Sequence, residues 1–202
     1  MKNVVSFLKE LSAHNNRDWF EANKLRYREA QAEFNAFAER LIEGIQRFDP
    51  STAGLTLRDC TYRIYRDVRF SPNKQPYKTH FGLYVCPGGK KSGNGGYYFH
   101  IEPCAEDGKP NYVLTSGIYM PEPRVLKSVR DEIFDNGEAL LASIEKAHAE
   151  AGWELDRSNS LKRTPAGYPP GTEWDDYLKL KDFHISKTLD DAYVLAPDLA
   201  ER

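Results

Sequence analysis

Apolar positions recur along the first quarter of the chain with a helical period. Phe20, Tyr27, Ala30, Phe34, Phe37, Leu41, Ile45 and Phe48 follow at steps of three, four and seven. That spacing places them on one stripe of a long amphipathic helix ending near Asp49-Pro50. A shorter helix over 4–11 precedes it. Asn15 and Asn16 stand where an N-cap is needed, because a short amide side chain can accept a hydrogen bond from the orphan N–H groups of a first turn. In the middle of the chain the pattern turns to strands. Residues 60–70, 79–86, 96–103 and 111–120 are dense in Tyr, Val, Ile and Phe and are separated by turn chemistry. Ser71-Pro72-Asn73-Lys74 suits a tight turn, and the glycine-rich stretch 87–96 suits a hairpin tip. Helical patterning returns over 124–134, 138–151 and 174–180, and 183–186 reads as an edge strand. The expected fold is therefore α+β: an antiparallel meander of about four strands, roughly 60–120, flanked by N-terminal and C-terminal helices in a single domain over 1–202.

Composition narrows the class. With 202 residues, 40% of them hydrophobic, the chain can bury a substantial core. A net charge of −2 argues against a general nucleic-acid or membrane-surface binder. The average hides an asymmetry: residues 58–91 hold eight Lys/Arg against Asp59 and Asp67, a local net charge of +6 that leaves −8 on the rest. A basic patch on an acidic protein favours a bounded anionic ligand over a long polyanion. Three cysteines, Cys60, Cys86 and Cys104, are odd in number and lack C-x-x-C spacing, so buried free thiols are expected rather than a disulfide framework or a structural zinc site. No apolar run approaches the ~20 residues of a membrane span, and the first residues turn polar too soon for a signal peptide. A cytoplasmic location is expected.

Parity along the strands sorts side chains into faces. Phe81, Leu83 and Val85, with Tyr97, Phe99 and Ile101, form an apolar face. His80, Gly82 and Tyr84, with Tyr98, His100 and Glu102, take the other. In 60–70 the odd positions Arg63, Tyr65, Asp67 and Arg69 join that polar face, and Arg66 falls on the apolar side as a structural residue. An alignment of Arg69 with His80, and of His80 with Glu102, sets Asp67 and Tyr65 opposite Gly82 and Tyr84, and His100 and Tyr98 opposite the same two. Glycine would leave a depression there. Such a face is rich in directional hydrogen-bonding groups. Arg63, Arg69, Lys74 and Lys78, with Tyr84 and Tyr98, are the expected ligand-binding residues, because arginine forks match phosphate and carboxylate geometry. His80 and His100 are the candidate general acids and bases, oriented by Asp67 and Glu102. The same histidines and carboxylates are ligand types for zinc, manganese or iron, but the flanking arginines would repel a cation, so no metal is expected. No nucleophile elbow and no phosphate-binding glycine loop of Walker spacing is present.

The run Arg63-Ile-Tyr-Arg-Asp-Val-Arg-Phe-Ser71, followed by Lys74 and Pro76-Tyr-Lys-Thr-His80, resembles the signature of the family termed domain of unknown function 2461. The likeness extends to Asn15-Asn16-Arg17-Asp18-Trp19-Phe20, to Gly96-Tyr97-Tyr98-Phe99-His100-Ile101-Glu102-Pro103, to Gly117-Ile118-Tyr119-Met120-Pro121, to Leu126 through Arg130 and to Leu161-Lys162-Arg163-Thr164-Pro165-Ala166-Gly167-Tyr168. Ala166 and Asn73 depart from it, standing where a lysine and an aspartate are expected. The resemblance implies a compact cytosolic protein of bacteria or fungi, with a last helix beyond 189–202, and it supplies no reaction, cofactor or catalytic assignment. The expected partner is a small anionic ligand, bound by an uncharacterised protein that acts as an enzyme if the histidines take part. The alternatives are a module whose basic hairpin docks onto nucleic acid or an acidic protein, and an arginine network that only holds the hairpin to the helices. No membrane partner is expected, and neither cofactor nor oligomeric state is legible.

Overall fold

The computed structural model describes residues 1–201. The apolar stripe folds as expected, but in two pieces: α1 (Lys2–Ala13) is followed by α2 (Arg17–Ala22) and, after a break at Asn23, by α3 (Lys24–Phe48). Asn16 caps α2 by accepting a hydrogen bond from Trp19 N at 2.9 Å. Phe20, Tyr27, Ala30, Phe34 and Ile45 are buried as the period requires, whereas Phe48, the last member of the stripe, is exposed. The four-residue helix α4 (Leu57–Cys60) follows, then β1 (Phe81–Val85), β2 (Gly96–Glu102), β3 (Asn111–Ile118), α5 (Pro123–Ala151), β4 (Glu154–Leu155), α6 (Asp175–Leu178), β5 (Phe183–Thr188) and α7 (Asp191–Val194). The fold is α+β. Its open antiparallel sheet has five strands rather than four, in the order β1-β2-β3-β5-β4.

Two differences from the expected strands matter. Residues 60–70 form no continuous strand; only single bridges, Thr61 to Leu83 and Tyr65 to Tyr77, tie this run to its neighbours. And 183–186 belongs to an inner strand, because the two-residue β4 pairs with β5, Glu154 opposite Ser186, and takes the edge.

The chain divides into two compact units, the first formed by 1–92, 97–114 and the residues from 188 onward, the second by 93–96 and 115–187. In the first unit the core lies between the helices and the apolar face of β1 and β2. Phe34 packs on Phe81 and Phe37 on Phe99, with ring centroids 5.0 and 4.8 Å apart. Burying rings of this size contributes roughly 1.5–3 kcal/mol each. The alternation that sends Phe99 and Ile101 into this core turns Tyr98, His100 and Glu102 to the opposite face.

In the second unit α5 covers both helical segments expected at 124–134 and 138–151, and breaks at Asn136, whose φ of −147° is non-helical. Gly137 lies just beyond the break, buried against Trp174. Asp182 is buried and accepts from Met120 N at 2.6 Å and Asn159 Nδ2 at 2.5 Å, and the buried Arg130 donates to Leu180 O at 2.8 Å.

Candidate functional site: a tyrosine–histidine–glutamate row beside a cationic cleft

The site is built where the polar face of β1 and β2 meets the arginine-rich run. The pairing of β1 with β2 has the expected register, with Gly82 opposite His100 and Tyr84 opposite Tyr98. Side chains two residues apart on β2 therefore stack along one face and bond in series. Tyr98 Oη lies 2.9 Å from His100 Nδ1, and His100 Nε2 lies 3.3 Å from Glu102 Oε2. The other oxygen of Glu102 accepts from Thr79 Oγ1 at 2.6 Å and lies 3.8 Å from His80 Nδ1. The two imidazoles sit against each other with centroids 4.6 Å apart. Gly82 provides the room: a Cβ there would stand 3.0 Å from Tyr98 Oη.

The row is largely withdrawn from water, with side-chain exposures of 12% for His100, 15% for Glu102 and 30% for His80. Burial pushes the Glu102 carboxyl upward, but hydrogen bonds from His100, His80 and Thr79 outweigh it and hold the group well below the usual carboxylate range. Burial, then the neighbouring Tyr62 and Glu102, pushes the Tyr98 phenol well above its usual value. Burial also takes Tyr84, on the same face, up to about 12.

Beside the row lies a cleft of about 900 Å³ whose wall carries Arg58, Arg63, Lys78, Lys90 and Lys91. Three local devices assemble it. Thr56 and Asp59 form a capping box that starts α4, with Thr56 N and Oγ1 both bonded to Asp59 Oδ2 at 2.9 and 2.7 Å. The hairpin tip then returns onto this helix: Lys90 N donates to Asp59 O at 2.9 Å and Lys90 Nζ to Arg58 O. Gly89 permits the return, since its φ is +80° and a Cβ would press on Asp59 O at 3.2 Å. Finally Tyr62 lines the cleft with the ammonium groups of Lys78 and Lys90 5.2 and 5.9 Å from its ring centroid.

Asp59 is the single carboxylate in this wall; Thr56 bonds to it, and the charges of Lys90 and Arg58 also act on it. Among the described residues none of the five cations is ion-paired to a carboxylate. Burial, followed by the charges of Arg63 and Arg66, pushes the Lys78 ammonium below its usual value.

Of the expected site residues, the structure brings His80, His100, Glu102 and Tyr98 together, keeps Tyr84 on their face, and places Arg63 and Lys78 in the cleft. It separates the rest. Asp67 and Arg69 lie in the exposed part of the run and pair with each other at 2.6 Å, and Lys74 Nζ donates to Val68 O at 3.1 Å. The alignment of Arg69 with His80 is incorrect, because Tyr65 bridges to Tyr77 and not to Tyr84. Asn15 braces the observed pairing. Its amide clamps Tyr77 from both sides, Nδ2 donating to Tyr77 O at 3.0 Å and Oδ1 accepting from Tyr77 N at 3.2 Å. That side chain plays the part of a neighbouring strand and pins the run near its own turn. Asn15→Ala is expected to destabilise the protein by about 1–3 kcal/mol through the two half-buried groups it strands, read as a lowered urea midpoint. Arg58, Tyr62, Thr79, Lys90 and Lys91 were not among the expected site residues. The spacing Thr56-x-x-Asp59 and the paired Gly88-Gly89 before Lys90 are the signals that would have located most of them.

All three cysteines are free, Cys60 and Cys86 buried and Cys104 half-buried. Burial pushes the Cys60 thiol up to about 11, which makes it a poor nucleophile. No helix among the described residues is long and apolar enough to cross a membrane. No curated protein and no solved structure matches the chain. A family described as "Conserved hypothetical protein (DUF2461)" matches residues 3–202, and the chain belongs to it.

Proposed function

We propose that the cleft binds a small anionic ligand through a phosphate or carboxylate group, and that the adjoining Tyr98–His100–Glu102 row with His80 supplies acid–base chemistry to it. The observation that carries this reading is the wall of five cations facing a single carboxylate, Asp59, with none of the five in an ion pair among the described residues. Holding like charges together costs free energy that an anion would recover, and charge-assisted hydrogen bonds to Arg63 and Lys78 would contribute about 1.5–3 kcal/mol each. Tyr62 connects the two halves: it lines the cleft, and its phenol is close enough to raise those of Tyr84 and Tyr98.

One observation favours the docking alternative. Phe70 is 94% exposed on the same arginine-rich run, where an aromatic ring could stack on a base. Salt separates the two readings. Isothermal titration with inorganic phosphate and with a phosphate monoester is expected to show one site per chain, with affinity reduced at least tenfold in the double variant Arg63→Ala/Lys78→Ala. Tight binding of single-stranded oligonucleotide that falls steeply with salt, and no phosphate binding, would favour docking instead.

A further inference from the structure

We infer that His80, His100 and Glu102 form a binding site for a divalent transition-metal cation. The inference goes beyond the anion reading and stands without it. One ligand atom from each of the three residues lies within 4.8 Å of the other two. His100 Nε2 and Glu102 Oε2 are 3.3 Å apart, and His80 Nδ1 and Glu102 Oε1 3.8 Å. Bonds of about 2.0–2.2 Å to one ion place neighbouring ligand atoms roughly 3.0–3.5 Å apart, so His100 Nε2 and Glu102 Oε2 already have the required spacing, whereas His80, which lies nearest the other carboxylate oxygen, must turn toward them to complete a set whose atoms lie within 4.8 Å of one another. Two imidazoles and a carboxylate suit zinc, iron or manganese, and three protein ligands leave positions open for water or substrate, as in catalytic rather than structural sites.

The groups behind these ligands are arranged as metal sites require. His100 Nδ1 is bonded to Tyr98 Oη at 2.9 Å and Glu102 Oε1 to Thr79 Oγ1 at 2.6 Å, so two of the three ligands are already held in orientation by a neighbouring hydroxyl. When Nδ1–H is donated to Tyr98, Nε2 presents a lone pair to the Glu102 carboxylate at 3.3 Å. Two acceptors at that distance repel unless something positive lies between them. In the other tautomer, with the Tyr98 hydroxyl donating to Nδ1, the Nε2 proton takes that place. A cation and a proton therefore compete for one position, and a bound cation would provide the acid–base group of the row as a coordinated water.

The expectation that arginines would repel a metal depended on Arg63 and Arg69 flanking the cluster. Arg69 is paired with Asp67 on the exposed run, and Arg63 stands in the wall of the cleft. A dication facing one carboxylate would leave the cluster with net positive charge beside the anion cleft, so the two sites would attract the same ligand.

Calorimetric titration of the full chain, freed of metal by chelator and dialysed, with Zn²⁺ alone and with Mn²⁺ alone tests this. One ion per chain is expected. His100→Ala and Glu102→Gln should each weaken binding more than a hundredfold, and Tyr98→Phe about tenfold, as removal of an outer-shell partner typically does. Arg63→Ala/Lys78→Ala should keep the full stoichiometry, which separates a failure of the anion reading from a failure of this one. Because His100 is nearly buried and its variants could unfold, Co²⁺ added to the unaltered chain gives a second readout: visible absorption bands of a four- or five-coordinate nitrogen–oxygen site. Absence of heat and of cobalt bands in the folded chain would overturn the assignment, as would binding unchanged by Glu102→Gln.

Discussion

Phe20→Ala is expected to lower stability by about 3–5 kcal/mol and to loosen the cleft at the same time. The ring is fully buried and stacks on Tyr77 with centroids 3.9 Å apart and planes 12° from parallel. It also meets Tyr27 at 5.0 Å, Phe7 at 6.2 Å and Tyr65 at 5.8 Å. Phe20 thus joins α1 and α3 to the run that carries Arg63 and Lys78, just where Asn15 clamps the backbone of Tyr77. Removing the ring leaves a cavity bounded by aromatic groups that cannot collapse, which is the costly kind. Urea unfolding should show the lowered midpoint, and phosphate affinity should fall although no group lining the cleft has changed. Phe20→Leu, which retains much of the volume, should recover most of both. A variant as stable as the parent would show that the run is held by something other than this cluster.

Gly117→Ala is expected to be comparably damaging, for a different reason. Gly117 sits in β3 with φ at +135°, and a Cβ there would come 2.2 Å from Phe183 O and 2.6 Å from His184 Cα. The obstruction is the backbone of β5, the strand next to β3 in the sheet, so no rotamer change relieves it. Backbone strain of about 1–3 kcal/mol and overpacking of about 1–3 kcal/mol combine to roughly 2–6 kcal/mol. Hydrogen exchange should locate the effect: amides of β3 and β5 within 115–187 should lose protection. Unchanged protection there would contradict the close approach of the two strands.

How far the sequence could be read depended on the range of the interactions involved. The helices were legible because a 3.6-residue period reports a local geometry, and of the stripe from Phe20 to Ile45 all members are buried except Phe37 and Leu41, which are half-buried. The face and register of β1 and β2 were legible because strict alternation leaves one way to bury Phe81, Leu83, Phe99 and Ile101 together. Residues 60–70 misled because aromatic and β-branched content measures fit to a half-buried surface, not strand pairing as such. Their path is tied to contacts remote in sequence, such as the bridge of Tyr65 to Tyr77, a residue that Asn15 holds from 62 positions away. The edge strand β4 has only two residues, too few to leave a period. That His80, His100 and Glu102 share a face followed from parity and pairing, whereas the cleft beside them needs the hairpin tip to turn back at Gly89. Local patterns describe the tip as flexible and say nothing of its destination.

The wall of five cations is proposed as a ligand site. Crystals grown without phosphate or sulfate, then soaked in phosphate, test it most directly. The expected result is an ordered anion within hydrogen-bonding distance of Arg63 and Lys78, with Lys90 closing on it and Tyr62 unmoved. A cleft that stays free of ordered anion at high phosphate, with those cations turned to solvent or to the protein's own carboxylates, would contradict the claim.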